Sequence, residues 1–350
     1  MRAFKKGLVL CLLMGLLTAL GGCSRPQANV EPQGIAYFAY FDTVSYVYSY
    51  AGDSAEQFES CSADVASILE EYHQLFDIYH EYSGINNLCT VNRFAGGDPV
   101  EVDEKLIEFL LYARELYEQT GGEMNIMMGA VLSLWHDCRS EASDDPAAAR
   151  LPEQQALEEA MLHTDFSLLE IDAENCTVRI TDANASIDVG ALGKGYATEM
   201  AARYLEQQGV TSYVLNIGGN IRIIGAKPDG SGWSTGIRDP FSAEGGQAIM
   251  LTLADTACVT SGVYERYFVV DGERYHHVID PDTLWPAQYF ASISIITKDS
   301  ALADALSTAL FCMPQEEGAA LAKSFGAEVV WILHDGEVRY TEGIEPLIKK

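Results

Sequence analysis

The sequence predicts an α+β domain. Two stretches in the N-terminal third carry apolar residues at helical spacing. Two Asp-Gly dipeptides in the C-terminal third each sit between β-rich runs, the strongest short-range hairpin signal. Helices and hairpins are mixed without regular strand–helix–strand alternation, which argues against a parallel α/β sheet.

Taken in order, residues 53–79 place Phe58, Cys61, Val65, Ile68, Leu69, Tyr72 and Phe76 on one helical face. A second helix begins after Asp103, a good N-cap. It turns Leu106, Ile107, Leu110, Ala113 and Leu116 inward and stops at Gly121-Gly122. Residues 139–160 are acidic, Ala-rich and broken by Pro146 and Pro152, and read as a surface excursion. Val178 to Ile187 reads as strand, turn at Asp182-Ala183-Asn184, and strand. A helix over Gly195 to Gln208 ends at Gly209. Tyr213 to Ile217 is a strand that turns through Gly218-Gly219-Asn220 into Ile221 to Ile224. Asp271-Gly272 joins Tyr267–Val270 to Arg274–Val278, and Asp335-Gly336 joins Val329–Leu333 to Val338–Tyr340. Between these hairpins lie a strand, Ala291 to Ile296, and a helix, Ser300 to Phe311. No internal repeat is present.

With 350 residues, 48% of them hydrophobic, the chain can bury a sizeable core. Its 22 basic and 51 acidic residues give a net charge of −29, which repels nucleic acid and excludes it as a partner. An anionic substrate would need local cations against that field.

Arg2, Lys5 and Lys6 precede an apolar stretch, Gly7 to Leu20, too short for a membrane span and flanked like a signal peptide. It ends in Leu20-Gly21-Gly22-Cys23, which resembles a lipobox. Residues 1–22 are therefore expected to be a signal peptide. Cys23 would be the lipidated residue, 23–36 a tether, and the protein anchored on the extracytoplasmic face of the cell membrane. The six other mature cysteines form no C-x-x-C pair and read as free, largely buried thiols.

Three motifs carry chemistry. Asp304 and Thr308 stand four apart on one helix face, and a carboxylate beside a hydroxyl suits Mg²⁺. Taken alone, such a pair is more often a plain exposed face. Asp188 to Ala197 is a Gly-rich turn leading into a helix, with Lys194 inside it, and suits phosphate as well as it suits an ordinary helix entry. It is not a Walker A loop, because Asp188 replaces the first Gly and Gly195 follows Lys194 where Ser or Thr is required. It is not a dinucleotide fingerprint either, because Thr198 stands at the last Gly. His276 and His277 are adjacent on a strand and point to opposite faces, so at most one can serve a site.

Together these segments resemble the ApbE family of FAD:protein FMN transferases, from about Tyr37 to Leu333. The most specific stretches are Thr260 to Arg266, Tyr275 to Thr283 and Asp304 to Ala309. Val91 to Gly96, Gly122 to Asn125, Asp188 to Ala197, Asn216 to Asn220 and Trp233 to Pro240 also fit. The resemblance implies a T-fold-like arrangement of mixed sheets with packed helices, in a single catalytic domain over 37–350. It implies Mg²⁺ held by the Asp304 carboxylate, the Thr308 hydroxyl and the Ala191 carbonyl, with FAD as substrate. Asp188, Lys194, Glu123, Met124, Asn125 and Ile279 would contact FAD, Tyr79 and Phe41 would lie near its rings, and His277 would be the base. FMN would pass to a Thr or Ser hydroxyl of an acceptor flavoprotein, such as Rnf- or Nqr-type subunits, and AMP would leave. A Mg²⁺-dependent FAD pyrophosphatase and a non-enzymatic FAD-binding lipoprotein are the alternatives. Three departures stand out: Phe41-Asp42-Thr43 replaces Met-Gly-Thr, Asn125 replaces Asp, and Leu284-Trp285 stands where Gly is usual.

Overall fold

Residues 31–349 are described in the computed structural model. Cys23, the apolar stretch before it and most of the tether lie outside the described residues. In chain order the elements begin β1 (Gln33–Tyr37), β2 (Ser45–Ser49), α1 (Ala55–Phe76), α2 (Leu88–Arg93), β3 (Val100–Glu101) and α3 (Glu104–Gln119). They continue α4 (Gly129–Asp144), α5 (Gln154–Met161), β4 (Leu169–Asp172), β5 (Thr177–Ile180), α6 (Gly193–Gln207), β6 (Tyr213–Ile217) and β7 (Asn220–Ile224). The last are β8 (Trp233–Arg238), β9 (Gln247–Leu253), β10 (Thr256–Gly262), β11 (Tyr267–Val270), β12 (Glu273–His276), β13 (Ser292–Thr297), α7 (Ser300–Ala309), α8 (Gln315–Ser324), β14 (Glu328–Ile332) and β15 (Val338–Tyr340). No helix among the described residues is long and apolar enough to cross a membrane.

An eight-stranded antiparallel sheet, ordered β1-β2-β6-β7-β10-β13-β14-β15, is the frame. Side chains alternate across it, as the pleat demands. Val259, Ile293, Ile295, Val329 and Trp331 turn to one face and meet α1, α6 and α7. Cys258, Ile296, Val330 and Ile332 turn to the other and meet Trp233, Ile237, Leu251 and Leu253 of the β8–β9 ribbon. The central strands are thus apolar on both faces because both are covered.

Both expected N-terminal helices form. Ser54 caps α1 in a reciprocal capping box with Gln57, and Asp103 caps α3 through the Lys105 amide. Asp271 (φ 51°) and Gly272 (φ 87°) make the expected two-residue hairpin loop, with both residues left-handed. Asp335-Gly336 also joins paired strands, but inside a longer connection, 333–337, closed by Leu333 N–H donating to the Glu337 carbonyl at 2.9 Å.

Two expectations are corrected. Residues 139–160 lie mostly at the surface, as expected, but they are largely helical. α4 runs through Asp144, α5 starts just after Pro152, and Cys138, Ala142 and Leu157 are buried in a cluster with Trp135 and Phe268. The prolines fit because neither lies inside an α-helix: Pro146 opens a short 3-10 turn, 146–148, and Pro152 stands just before the Glu153 cap of α5. Ala185 to Ile187 is not the second arm of a hairpin. β5 pairs with β4, and the turn at Asp182 instead leads the chain alongside 126–129, where only Ser186 bridges Met128. The Asp182 carboxylate holds that turn by accepting the Asn184 amide at 2.8 Å and facing His163 Nδ1 at 2.6 Å. The six described cysteines are all free, with Cys138, Cys258 and Cys312 buried and Cys61, Cys89 and Cys176 half-buried.

Candidate active site

The site begins where α6 meets α7. Gly195 N–H donates to Asp304 Oδ2 at 2.8 Å, and a Cβ at position 195 would stand 2.3 Å from Asp304 Cβ and 2.4 Å from the Ser300 carbonyl. Only glycine permits that approach. A Gly195→Ala variant is expected to lose about 1–3 kcal/mol or more to overpacking, read as a lower urea midpoint. An unchanged midpoint would show that the two helices can separate without cost.

Asn220 Nδ2 donates to the same Oδ2 at 3.3 Å. One oxygen of Asp304 is therefore fixed by two protein donors, while Oδ1 has no protein partner among the described residues. The Gly195 amide is also the group that would take the Ala191 carbonyl in a regular helix turn. Its bond to Asp304 leaves that carbonyl without a partner among the described residues. Thr308, one turn after Asp304, is half-buried, and its hydroxyl donates to no described residue. Three hard oxygens are thereby left free, a donor set that fits Mg²⁺. No three His, Cys, Asp or Glu side chains converge among the described residues, so a cation here would rely on one carboxylate and neutral oxygens. Burial raises the Asp304 carboxyl above its ordinary range, offset by the charge of Lys194 and by the Gly195 and Asn220 donors.

The Gly-rich turn is braced from behind. Asn92 mimics a strand partner, donating to the Ile187 carbonyl at 2.9 Å and accepting the Ile187 amide at 2.7 Å. Asp188, 8% exposed, accepts the Gly190 amide at 2.8 Å, and its own amide donates to the Ile126 carbonyl. Its Oδ2 faces His136 Nε2 at 3.9 Å, and His136 Nδ1 lies 2.9 Å from the Tyr79 hydroxyl. Tyr79 itself is 62% exposed, so its ring is open to a ligand.

The two histidines divide as the strand alternation requires. His276 is buried, with Nε2 2.9 Å from the Ala287 carbonyl and Nδ1 accepting the Val278 amide, which makes it structural. The His277 ring meets the Arg266 carbonyl through Nδ1 at 3.2 Å. That contact requires the proton on Nδ1 and leaves the Nε2 lone pair free to accept another. Burial first, then the charges of Arg266, Lys194, His276 and Arg139, push His277 down to about 3, so it is neutral at physiological pH.

A second wall carries Glu123 and Ile279. Burial, then Asp282, Asp280 and Glu317, push Glu123 up to about 7. Ile279 is buried and bridges Pro286. Met124 is wholly buried in the core. The Asn125 amide is used internally, donating to the Thr164 carbonyl at 2.9 Å and accepting the Met127 amide at 2.9 Å. Contacts to a ligand from these two positions would fall to the backbone. Phe41 (φ 55°) and Asp42 (φ 51°) are both left-handed, and Phe41 packs edge-on against His73 of α1 with centroids 5.5 Å apart. A usual Gly at position 42 would adopt that backbone without strain.

Sequence reasoning assigned no part to Asn220, His136, Arg139 and Arg266, which the fold brings close to these groups. Asn220 and Arg266 lay inside recognised motifs. His136 and Arg139 offered only i, i+3 spacing on α4.

A family model described as "ApbE family" matches residues 41–331. The chain is 32% identical to a FAD:protein FMN transferase of Treponema pallidum, over 97% of this chain and 93% of that protein. It is 27% identical to one of Vibrio cholerae, over 95% and 97%. Among solved structures, an ApbE protein of Thermotoga maritima superposes with a TM-score of 0.79 at 28% identity, covering 91% of this chain and all of that one. A flavin transferase ApbE of Vibrio cholerae shares the fold, with a TM-score of 0.74 at 24% identity, covering 91% and 99%. By both sequence and structure, the chain belongs to the ApbE family.

Proposed function

We propose that the chain transfers FMN from FAD to a Thr or Ser hydroxyl of an acceptor flavoprotein, with Mg²⁺ as cofactor and AMP as the leaving group. One observation carries this reading. Asp304 has one oxygen fixed and one free beside two further unpartnered oxygens, at the start of the Lys194-bearing helix, with a neutral histidine nearby. The names of the relatives support the substrate and the transfer.

Asp304, Thr308 and Ala191 would hold Mg²⁺, which when bound supplies positive charge against the diphosphate oxygens. Lys194 draws the diphosphate to the helix N-terminus, and Asp188 shapes the turn beneath it. Glu123, Met124, Asn125 and Ile279 line the second wall, and Tyr79 and Phe41 flank the rings. His277 takes the acceptor's hydroxyl proton on Nε2 as that oxygen bonds to the riboflavin-side phosphorus. The bond from that phosphorus to the bridging oxygen breaks, and AMP leaves with the electron pair. The acceptor would be an Rnf- or Nqr-type subunit or a similar flavoprotein, reached from the extracytoplasmic membrane face through the lipid on Cys23.

The test is incubation with FAD, Mg²⁺ and a flavin-acceptor domain. Transfer gives an acceptor that stays fluorescent on a denaturing gel, with one AMP per flavin attached. Free FMN without labelling would assign the site to hydrolysis instead.

His277→Asn is expected to lower kcat by about 10²–10⁴-fold, the usual share of a general base. Because the His277 pKa is lowered, its proton-accepting form persists below the ordinary histidine range of about 6.5. The kcat/KM profile of the wild type should therefore show no acid limb between about pH 6 and 7. A limb centred there would contradict the assignment.

A further inference from the structure

We propose that α4 supplies a second cationic wall: Arg139, with Arg266 beside it, grips the diphosphate of the dinucleotide opposite Lys194. This rests on FAD being the substrate. The strand-like run 126–129 lies along 186–188, joined by Asp188 N–H to the Ile126 carbonyl at 2.8 Å and Gly129 N–H to the Ser186 carbonyl at 3.2 Å. α4 therefore leaves directly from the base of the Gly-rich turn. Two turns along, His136 reaches Asp188 and Tyr79, which shows that this face of α4 looks into the site. Arg139 follows three residues later on the same face. The backbone of Arg266 carries His277, through the amide at 3.0 Å and the ring at 3.2 Å, so this arginine stands at the base itself.

Charge makes the arrangement informative. The chain has 51 acidic residues for 22 basic ones, and arginines such as Arg203, Arg222 and Arg339 are ion-paired. Among the described residues the side chains of Arg139, Arg266 and Lys194 make no ion pair or hydrogen bond. Arg139 is half-buried nonetheless, and its pKa is lowered by burial and by the charge of Arg266. Two neighbouring guanidinium groups, one partly desolvated, repel each other, and Tyr79 and the Asp188 carboxylate offset that only in part, so an anion between them would be favoured. A diphosphate offers the oxygens their forks match.

The experiment compares FAD and riboflavin binding, by flavin fluorescence at two ionic strengths, in the wild-type protein, Arg139→Gln, Arg266→Gln and Arg139→Lys. Riboflavin keeps the ring and lacks the phosphates. Each Gln variant is expected to weaken FAD by about tenfold or more, leave riboflavin unchanged and flatten the salt dependence. Arg139→Lys should recover part of the loss. Equal weakening of both ligands, or FAD affinity unchanged in Arg139→Gln, would overturn the inference. A wild-type protein that binds riboflavin and FAD equally would overturn the FAD reading itself together with this one.

Discussion

Asp304→Asn is expected to abolish Mg²⁺-dependent processing of FAD, by about 10³-fold, while the protein stays folded. The substitution keeps the shape of the side chain, and its amide oxygen can still accept from Gly195, so the contact between α6 and α7 survives. What disappears is the negative charge and the free oxygen. A metal that stabilises developing phosphate charge contributes several kcal/mol, and each 1.36 kcal/mol is a factor of ten in rate. Titration calorimetry should show Mg²⁺ binding lost together with activity. Full activity in this variant would refute the metal assignment, because Asp304 is the only carboxylate proposed to hold the ion.

The second large effect lies behind the site. Glu199→Ala is expected to destabilise the fold by about 3–5 kcal/mol, the usual consequence of removing one partner of a buried ion pair. Glu199 is 3% exposed and accepts from Arg222 Nε at 3.1 Å, Arg203 Nε at 3.0 Å and the Ser300 amide at 2.9 Å. Arg222 is nearly as buried and would keep Glu206, at 2.7 Å, and the more distant Asp255, at 4.0 Å, both of them more exposed than Glu199. The Ser300 amide opens α7, so the same residue fixes the start of the helix that carries Asp304 and Thr308. Urea unfolding of the wild type and variant measures the loss directly. A change below about 1 kcal/mol would mean that water compensates Arg222 and that the network is not closed.

The elements legible in the sequence were those whose signal is local. α1 declares itself by apolar spacing, and α3 by apolar spacing and its Asp103 cap. Asp271-Gly272 declares its hairpin because both residues accept a left-handed backbone. The β4–β5 pairing was missed because Asp182-Ala183-Asn184 has turn chemistry equal to that of the true hairpin, at Cys176 (φ 49°). The helical character of 139–160 was hidden by its prolines, and the buried positions that reveal it, Ala142 and Leu157, join a cluster that Trp135 of α4 forms with Phe268 and Tyr275 of distant strands.

The same division holds at the site. The residues proposed to carry the chemistry, Asp304, Thr308, Lys194 and His277, were readable as motif members. Their supports were not, because those contacts join residues far apart: Tyr79 meets His136 across 57 positions, and Asn220 meets Asp304 across 84. The departure at Leu284 also gains a physical account only from the fold. Its φ of 65° is the backbone a glycine adopts freely, and its carbonyl accepts from Trp135 Nε1 at 3.0 Å. A left-handed leucine costs about 1–2 kcal/mol, and burying its side chain against the Trp135 cluster returns about 1.5–3 kcal/mol, so the residue is tolerated.

A crystal structure of the protein with FAD and Mn²⁺ in place of Mg²⁺, read by anomalous scattering, addresses the metal assignment without intermediaries. The expected result is one strong peak about 2.0–2.3 Å from Asp304 Oδ1, Thr308 Oγ1 and the Ala191 carbonyl, touching the diphosphate of FAD. FAD bound with no metal at these three oxygens, or a metal seated elsewhere along the diphosphate, would contradict it.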